Sequence, residues 1–169
     1  EYVSFKGELS DNDIKELVRT GKFKRIQTDS AALDKATLKK LNDKYFVSFP
    51  EVELRIYTSG DCDIDGISLM DNLRKLSVES SASIVNIEEI YSLENLKSID
   101  LEAKSIADKD FLNKLPRGIE SLGLKLASKS FDLKGITRFS ELKILSLHNC
   151  SKNIESVAGL NKLERLKLH

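Results

Sequence analysis

Apolar residues return at every third position in four separate stretches of this chain. They read Ile64, Ile67, Met70, Leu73, Leu76, Val78; then Ile87, Ile90, Leu93, Leu96, Ile99, Leu101; then Leu133, Ile136, Phe139, Leu142, Leu145, Leu147; then Ile154, Val157, Leu160, Leu163, Leu166, Leu168. A fifth stretch, Leu112, Leu115, Ile119, Leu122, Leu124, lies between the second and third, its step broken by an extra residue near Pro116. Aligned on their strand position, the copies start at Leu73, Leu96, Ile119, Leu142 and Leu163, in steps of 23, 23, 23 and 21. Self-similarity at one period restricts the chain to folds built by stacking copies of one unit.

Two periodicities share each copy. The last apolar residues alternate, which suits a short strand with one face turned inward. The upstream threes suit a 3₁₀ turn or short helix, where residues i and i+3 eclipse. One copy cannot bury its apolar face alone, but stacked copies can, with parallel strands on one side and turns or helices on the other. Each adds about five aliphatic side chains, worth roughly 1.5–3 kcal/mol apiece in transfer free energy before entropy is subtracted.

Each copy ends in L-x-x-L-x-L with Ile or Val allowed, and over residues 64–168 the chain resembles the leucine-rich repeat family. The preceding I-x-x-I-x-x-L-x-x-L is similar to the short-repeat subclass found in internalins and in a regulatory subunit of a protein phosphatase. The resemblance implies an α/β solenoid, curved, with parallel strands on its concave face and 3₁₀ or short helices on its convex face. It also implies a protein partner on the concave face. The family's asparagine position falls on Ser81, Lys104, Ala127 and Cys150, so no continuous side-chain ladder is expected there. Leu115-Pro-Arg-Gly-Ile-Glu-Ser-Leu-Gly-Leu124 is similar to the L-P-x-x-L-x-x-L-x-L form of secreted bacterial effectors. An alternative expectation is therefore the recognition domain of a larger bacterial effector enzyme, with its catalytic part outside this chain.

Residues 1–60 read as an N-terminal cap or as degenerate αβ repeats, continuous with the five repeats of residues 61–169. Phe23-x-x-Ile26-x-Thr28 and Glu51-x-x-Leu54-x-Ile56 occupy strand slots, and Val3 with Phe5 suits an earlier strand, since Val3 to Ile26 is again 23. Ser10 is expected to cap a helix through Ile14, Leu17 and Val18 that Gly21 closes; Ser30 is expected to cap a second through Leu33, Leu38 and Leu41. The last strand slot ends one residue before His169 and reads as truncated, its apolar end open to further repeats, a partner or self-association.

The charge is balanced, 27 Lys+Arg against 27 Asp+Glu, which gives no electrostatic reason to expect a nucleic acid or an anionic membrane. No apolar run is long enough to span a bilayer, and no secretory signal is visible. Cys62 and Cys150 are too few for a disulfide framework and read as reduced thiols, which favours a cytoplasmic setting and leaves a secreted or surface-attached bacterial protein open. Asp61, Asp63, Asp65 and Gly66 spell D-x-D-x-D-G, the opening of a calcium loop, but its twelfth position is Asn72, not a bidentate acid. Ile64 and Ile67 are inward rungs, so the acids read as a solvated turn. The only two histidines, His148 and His169, share an outward column; they lack further ligands for zinc and a nucleophile to activate. No enzyme, cofactor or metal site is expected.

The working surface is then the outward side of the strands. Its first column reads Glu53, Lys75, Ser98, Ser121, Ile144, Arg165; its second, Arg55, Ser77, Asp100, Gly123, Ser146, Lys167; its third, Tyr57, Glu79, Glu102, Lys125, His148, His169. Glu79, Asp100 and Glu102 are expected to form an acidic cluster and Lys125, Arg165 and Lys167 a basic end, with Tyr57 as the aromatic anchor. The partner-binding candidates are Arg55, Tyr57, Glu79, Asp100, Glu102, Lys125, His148 and Lys167.

Overall fold

Alternation of apolar and polar residues at a fixed spacing places the strands. The computed structural model describes residues 1–21 and 23–169. Its strands are β1 (Tyr2–Phe5), β2 (Arg25–Asp29), β3 (Glu53–Thr58), β4 (Cys62–Asp63), β5 (Lys75–Ser80), β6 (Ile84–Val85), β7 (Ser98–Ala103), β8 (Ser121–Leu126), β9 (Ile144–His148) and β10 (Arg165–Leu168). Eight of them form one open parallel sheet in the order β1-β2-β3-β5-β7-β8-β9-β10. The two-residue strands β4 and β6 pair with each other in a separate short ladder. The fold class is thus mixed α/β with an all-parallel main sheet.

The register follows the spacing. Val3, Ile26, Leu54, Leu76, Ile99, Leu122, Leu145 and Leu166 are laterally paired, strand to strand, across the sheet. From Ile26 to Leu145 every member of this row is buried. A parallel sheet usually has both faces covered. Here the side chains of β2, β3 and β9 alternate between buried and half-buried, so only one face is packed.

The packed face is closed by the crossovers. Residues Ile67–Leu69, Ile87–Ser92, Lys134–Arg138 and Ile154–Gly159 form 3₁₀ turns, as the steps of three predict, and bury Ile67, Ile87, Ile90, Ile136 and Val157. The stretch with the extra residue departs from this and forms an α-helical turn, Phe111–Lys114, in which the Leu115 N–H donates to the Phe111 carbonyl at 3.1 Å. Phe111 and Leu115 are four apart, the α spacing, and both are buried.

The loop before this turn is held by Asp108, which accepts from the Tyr91 hydroxyl at 2.6 Å and from Lys114 Nζ at 2.8 Å. Lys114 first, then Tyr91, hold the Asp108 carboxyl down at about 2. A carboxylate depressed below its unfolded value of about 3.9 stabilises the fold above that pH and stops doing so as the pH falls through the folded value. Asp108→Asn should therefore lie about 1 kcal/mol below wild type at pH 6, allowing for partial exposure. That gap should shrink from about pH 4 and close as the pH falls through 2 in urea denaturation; a gap undiminished below that value would assign the loss to something other than the charge.

The N-terminal part agrees with expectation in one helix and differs in the next. Helix α1 (Asp11–Thr20) begins at Ser10, whose hydroxyl accepts from the Asp13 N–H at 3.2 Å while the Asp13 carboxylate accepts from the Ser10 N–H at 2.8 Å. It ends at Gly21, φ 91°, a conformation that favours glycine. The second helix is not capped by Ser30. Ser30 lies inside a short 3₁₀ turn, Ser30–Ala32, capped by Asp29. Leu33 is extended, and Asp34 caps α2 (Lys35–Lys40) by accepting from the Thr37 N–H at 2.8 Å. The helix continues as a π-helical segment, Leu41–Phe46, which brings both Tyr45 and Phe46 into the core.

At the position three residues after the last strand leucine no continuous buried ladder forms among the described residues. Ser81, Lys104 and Ala127 are exposed. The inward slot falls one residue earlier, on Ser80, Ala103 and Leu126, because the strands keep alternating. Only Cys150 is buried at the expected position, after Asn149 takes a left-handed turn at φ 59°. On β10 even the inward residues are open: Leu166 is 44% and Leu168 56% exposed.

Candidate functional site

Pairing aligns the outward residues into the predicted columns, the third as far as His148. Glu53, Lys75, Ser98, Ser121, Ile144 and Arg165 are lateral neighbours; so are Arg55, Ser77, Asp100, Gly123, Ser146 and Lys167; so are Tyr57, Glu79, Glu102, Lys125 and His148. All eight candidate residues lie on this one face.

Most charges there are already paired. Arg55 holds Glu79 through both carboxylate oxygens, Nε to Oε1 at 2.6 Å. Its third donor reaches Gln27 Oε1 at 3.1 Å, and Gln27 donates to Ser4 Oγ at 2.9 Å. The guanidinium sits 4.9 Å from the Tyr57 ring centre, a cation–π contact. This bidentate grip pulls the Glu79 carboxyl below, and pushes the Arg55 guanidinium above, their ordinary pKa values. Lys125 pairs with Glu102 at 2.7 Å, and Arg25 pairs with Glu53. Of the expected acidic cluster, Glu79 and Glu102 are therefore paired, and Lys125 sits among the acids rather than at a basic end with Arg165 and Lys167.

Asp100 differs. No ion pair or hydrogen bond from a described residue reaches its carboxylate, while Glu53, Glu79 and Glu102 each have a cation. Burial by the surrounding strands raises its pKa first, Glu53 and Glu79 add repulsion, and Arg25 offsets part of this. Asp100 is nonetheless the one exposed residue of β7, so the neighbouring strands crowd its carboxylate without enclosing it. The carboxylate lies across Gly123 on the next strand: a Cβ at that position would be 1.8 Å from Asp100 Oδ1.

Small residues Ser77, Gly123 and Ser146 leave a depression of 280 Å³ here. It gathers Glu79, Asp100, Glu102, Lys125 and His148; Arg55, Tyr57 and Lys167 stand outside it on the same face. Arg25 also lines it and was not among the expected residues. Its place was legible, since Ile26 pairs with Leu54 and so sets Arg25 beside Glu53.

His148 and His169 stack with ring centres 4.0 Å apart and planes 9° apart. Desolvation, then the His169 and Lys125 charges, lower the His148 pKa. Cys62 and Cys150 are buried, and burial pushes both thiols up to about 11, so neither is a thiolate at neutral pH.

The acidic turn is a connector. Asp61 Oδ1 accepts from the Ser83 N–H at 3.0 Å; Asp63 Oδ1 accepts from the Asp65 N–H at 2.9 Å and from Asn86 Nδ2 at 2.8 Å; Asp65 pairs with Lys35 at 2.9 Å. Ile64 and Ile67 are fully buried, as inward rungs require. Among the described residues no group of three His, Cys, Asp or Glu is placed to hold a metal ion.

A larger cavity, 570 Å³, opens on the crossover side between residues 105–113 and 128–135. Bridges join Ser83 to Ser105 and Asp132 to Lys152, but among the described residues none joins the two stretches that border the cavity. Ile106, Leu112, Leu126 and Phe131 line it, beside Lys109 and Lys134. No protein-family model and no curated protein matches the sequence.

Proposed function

We propose that this chain is a leucine-rich repeat solenoid serving as a non-catalytic recognition module, which binds a partner protein on the outward face of its sheet. One observation carries the reading. The main sheet is wholly parallel, yet only one of its faces is packed, and the other presents aligned columns of charged and small residues. A row of side chains already held in ion pairs loses little freedom on binding, which favours a pre-organised recognition surface. Low relief at Ser77, Gly123 and Ser146 lets a partner approach the sheet closely. Neutral thiols and stacked imidazoles support binding over catalysis, without a cofactor.

Ser146→Trp fills the outward face without adding charge, and Glu155→Trp places the same bulk on an exposed crossover position. A specific partner captured by wild type should be kept by Glu155→Trp and bound at least tenfold more weakly by Ser146→Trp. Equal retention by both variants would remove the outward face as the binding surface. Concentration-dependent self-association in sedimentation, lost in Ser146→Trp, would make a second copy the partner.

A further inference from the structure

We infer that the depression on the outward face is a receptor for one cationic side chain, a lysine or arginine of the partner, with Asp100 as its counter-ion. The inference rests on the reading of this face as the binding surface. It begins with the charges that surround the depression. Arg25 cancels Glu53, Arg55 cancels Glu79, and Lys125 cancels Glu102. Asp100 remains, one negative charge among three closed pairs. A cation placed there gains a partner without breaking an existing one. An anion would have to displace a carboxylate from Arg25 or Lys125 and then face Asp100.

Two locally unfavourable choices point the same way. An exposed carboxylate with no cation among the described residues, repelled by Glu53 and Glu79, gains nothing for the isolated fold. Glycine in a strand interior is also costly, since it packs nothing and loses the most backbone freedom. The two belong together: without Gly123 the Asp100 carboxylate could not lie where it does, because a Cβ would overlap it at 1.8 Å. Residues that break local rules in concert mark a site kept for function. The volume fits the occupant. Small-molecule sites run to about 300–1,000 Å³. A depression of 280 Å³, floored by Ser77 and Gly123 and open above, suits a single side chain reaching down from a larger partner.

The test titrates the folded protein with Nα-acetyl-lysine methylamide and with Nα-acetyl-arginine methylamide, using the glutamine analogue as the neutral control. Backbone amide shifts are followed by NMR. Saturable shifts at Asp100, Gly123 and Ser146 are expected with one or both cations and not with the neutral probe, and the two arms decide between ammonium and guanidinium. Asp100→Asn is near-isosteric and should weaken the response at least tenfold while keeping or raising the melting temperature. Gly123→Ala should weaken it as well by displacing the carboxylate. Absence of site-specific shifts with either cation, or an undiminished response in Asp100→Asn, would overturn the inference. A protein partner sensitive to Ser146→Trp but indifferent to Asp100→Asn would overturn it too, and would leave the face reading standing.

Discussion

Leu122→Ala should melt about 10 °C below wild type, whereas Leu166→Ala should shift the midpoint by about 2 °C or less. The two leucines hold equivalent places: Leu122 pairs with Leu145, and Leu145 with Leu166. Their surroundings differ. Leu122 is 1% exposed between two strands, and Leu166 is 44% exposed on the edge strand β10. Truncating a fully enclosed leucine removes its transfer energy and leaves a cavity, together about 3–4 kcal/mol. A domain of this size moves roughly 2–4 °C per kcal/mol. The edge leucine has little of either term to lose. Thermal denaturation of both variants checks the contrast. Equal losses would mean that β10 is covered in solution.

The second large effect is expected at Tyr45, and two substitutions divide it. Tyr45 is fully buried, its ring edge-on to Phe46 at 5.5 Å and tilted against Phe49 at 4.9 Å. Its hydroxyl donates to the Gly21 carbonyl at 2.9 Å and accepts from the Phe23 N–H at 3.3 Å. The ring thus fills the core while its tip holds the backbone of Gly21 and of Phe23. Tyr45→Ala should cost about 3–5 kcal/mol by losing both. Tyr45→Phe keeps the ring and should cost about 1–2 kcal/mol, because two backbone groups lose their partner. Urea denaturation of the pair separates packing from tethering. Equal midpoints for Tyr45→Phe and wild type would show that water replaces the hydroxyl.

Spacing made the sheet legible. The steps of 23 from Leu76 to Ile99 to Leu122 are the lateral register itself, and they place the outward columns without further information. Short-range chemistry made α1 legible, since Ser10 and Asp13 satisfy each other across one turn. The second helix starts later than its sequence suggests because Ser30 and Asp34 are both competent caps. The extended backbone at Leu33 decides between them, and that is a tertiary outcome. The π-helical segment left no mark in the pattern for the same reason: packing of Tyr45 and Phe46 selects it.

Column membership also says nothing about which charges pair. Ser77 is directly opposite Arg55, but the long side chain reaches diagonally to Glu79. Lys125 instead takes Glu102, its direct neighbour. Diagonal and direct reach are close in energy on a sheet, so the choice depends on rotamers that spacing cannot encode. Asp100 stands out only once these pairs are drawn.

Each strand of the main sheet bonds only to the strand on either side, and β1 and β10 lie at opposite edges. Tension applied through the two ends of the chain would therefore load the ladders in series rather than in parallel. The assembly should peel from an edge, one ladder at a time. Its mechanical strength is that of a single strand pair, however many pairs it contains.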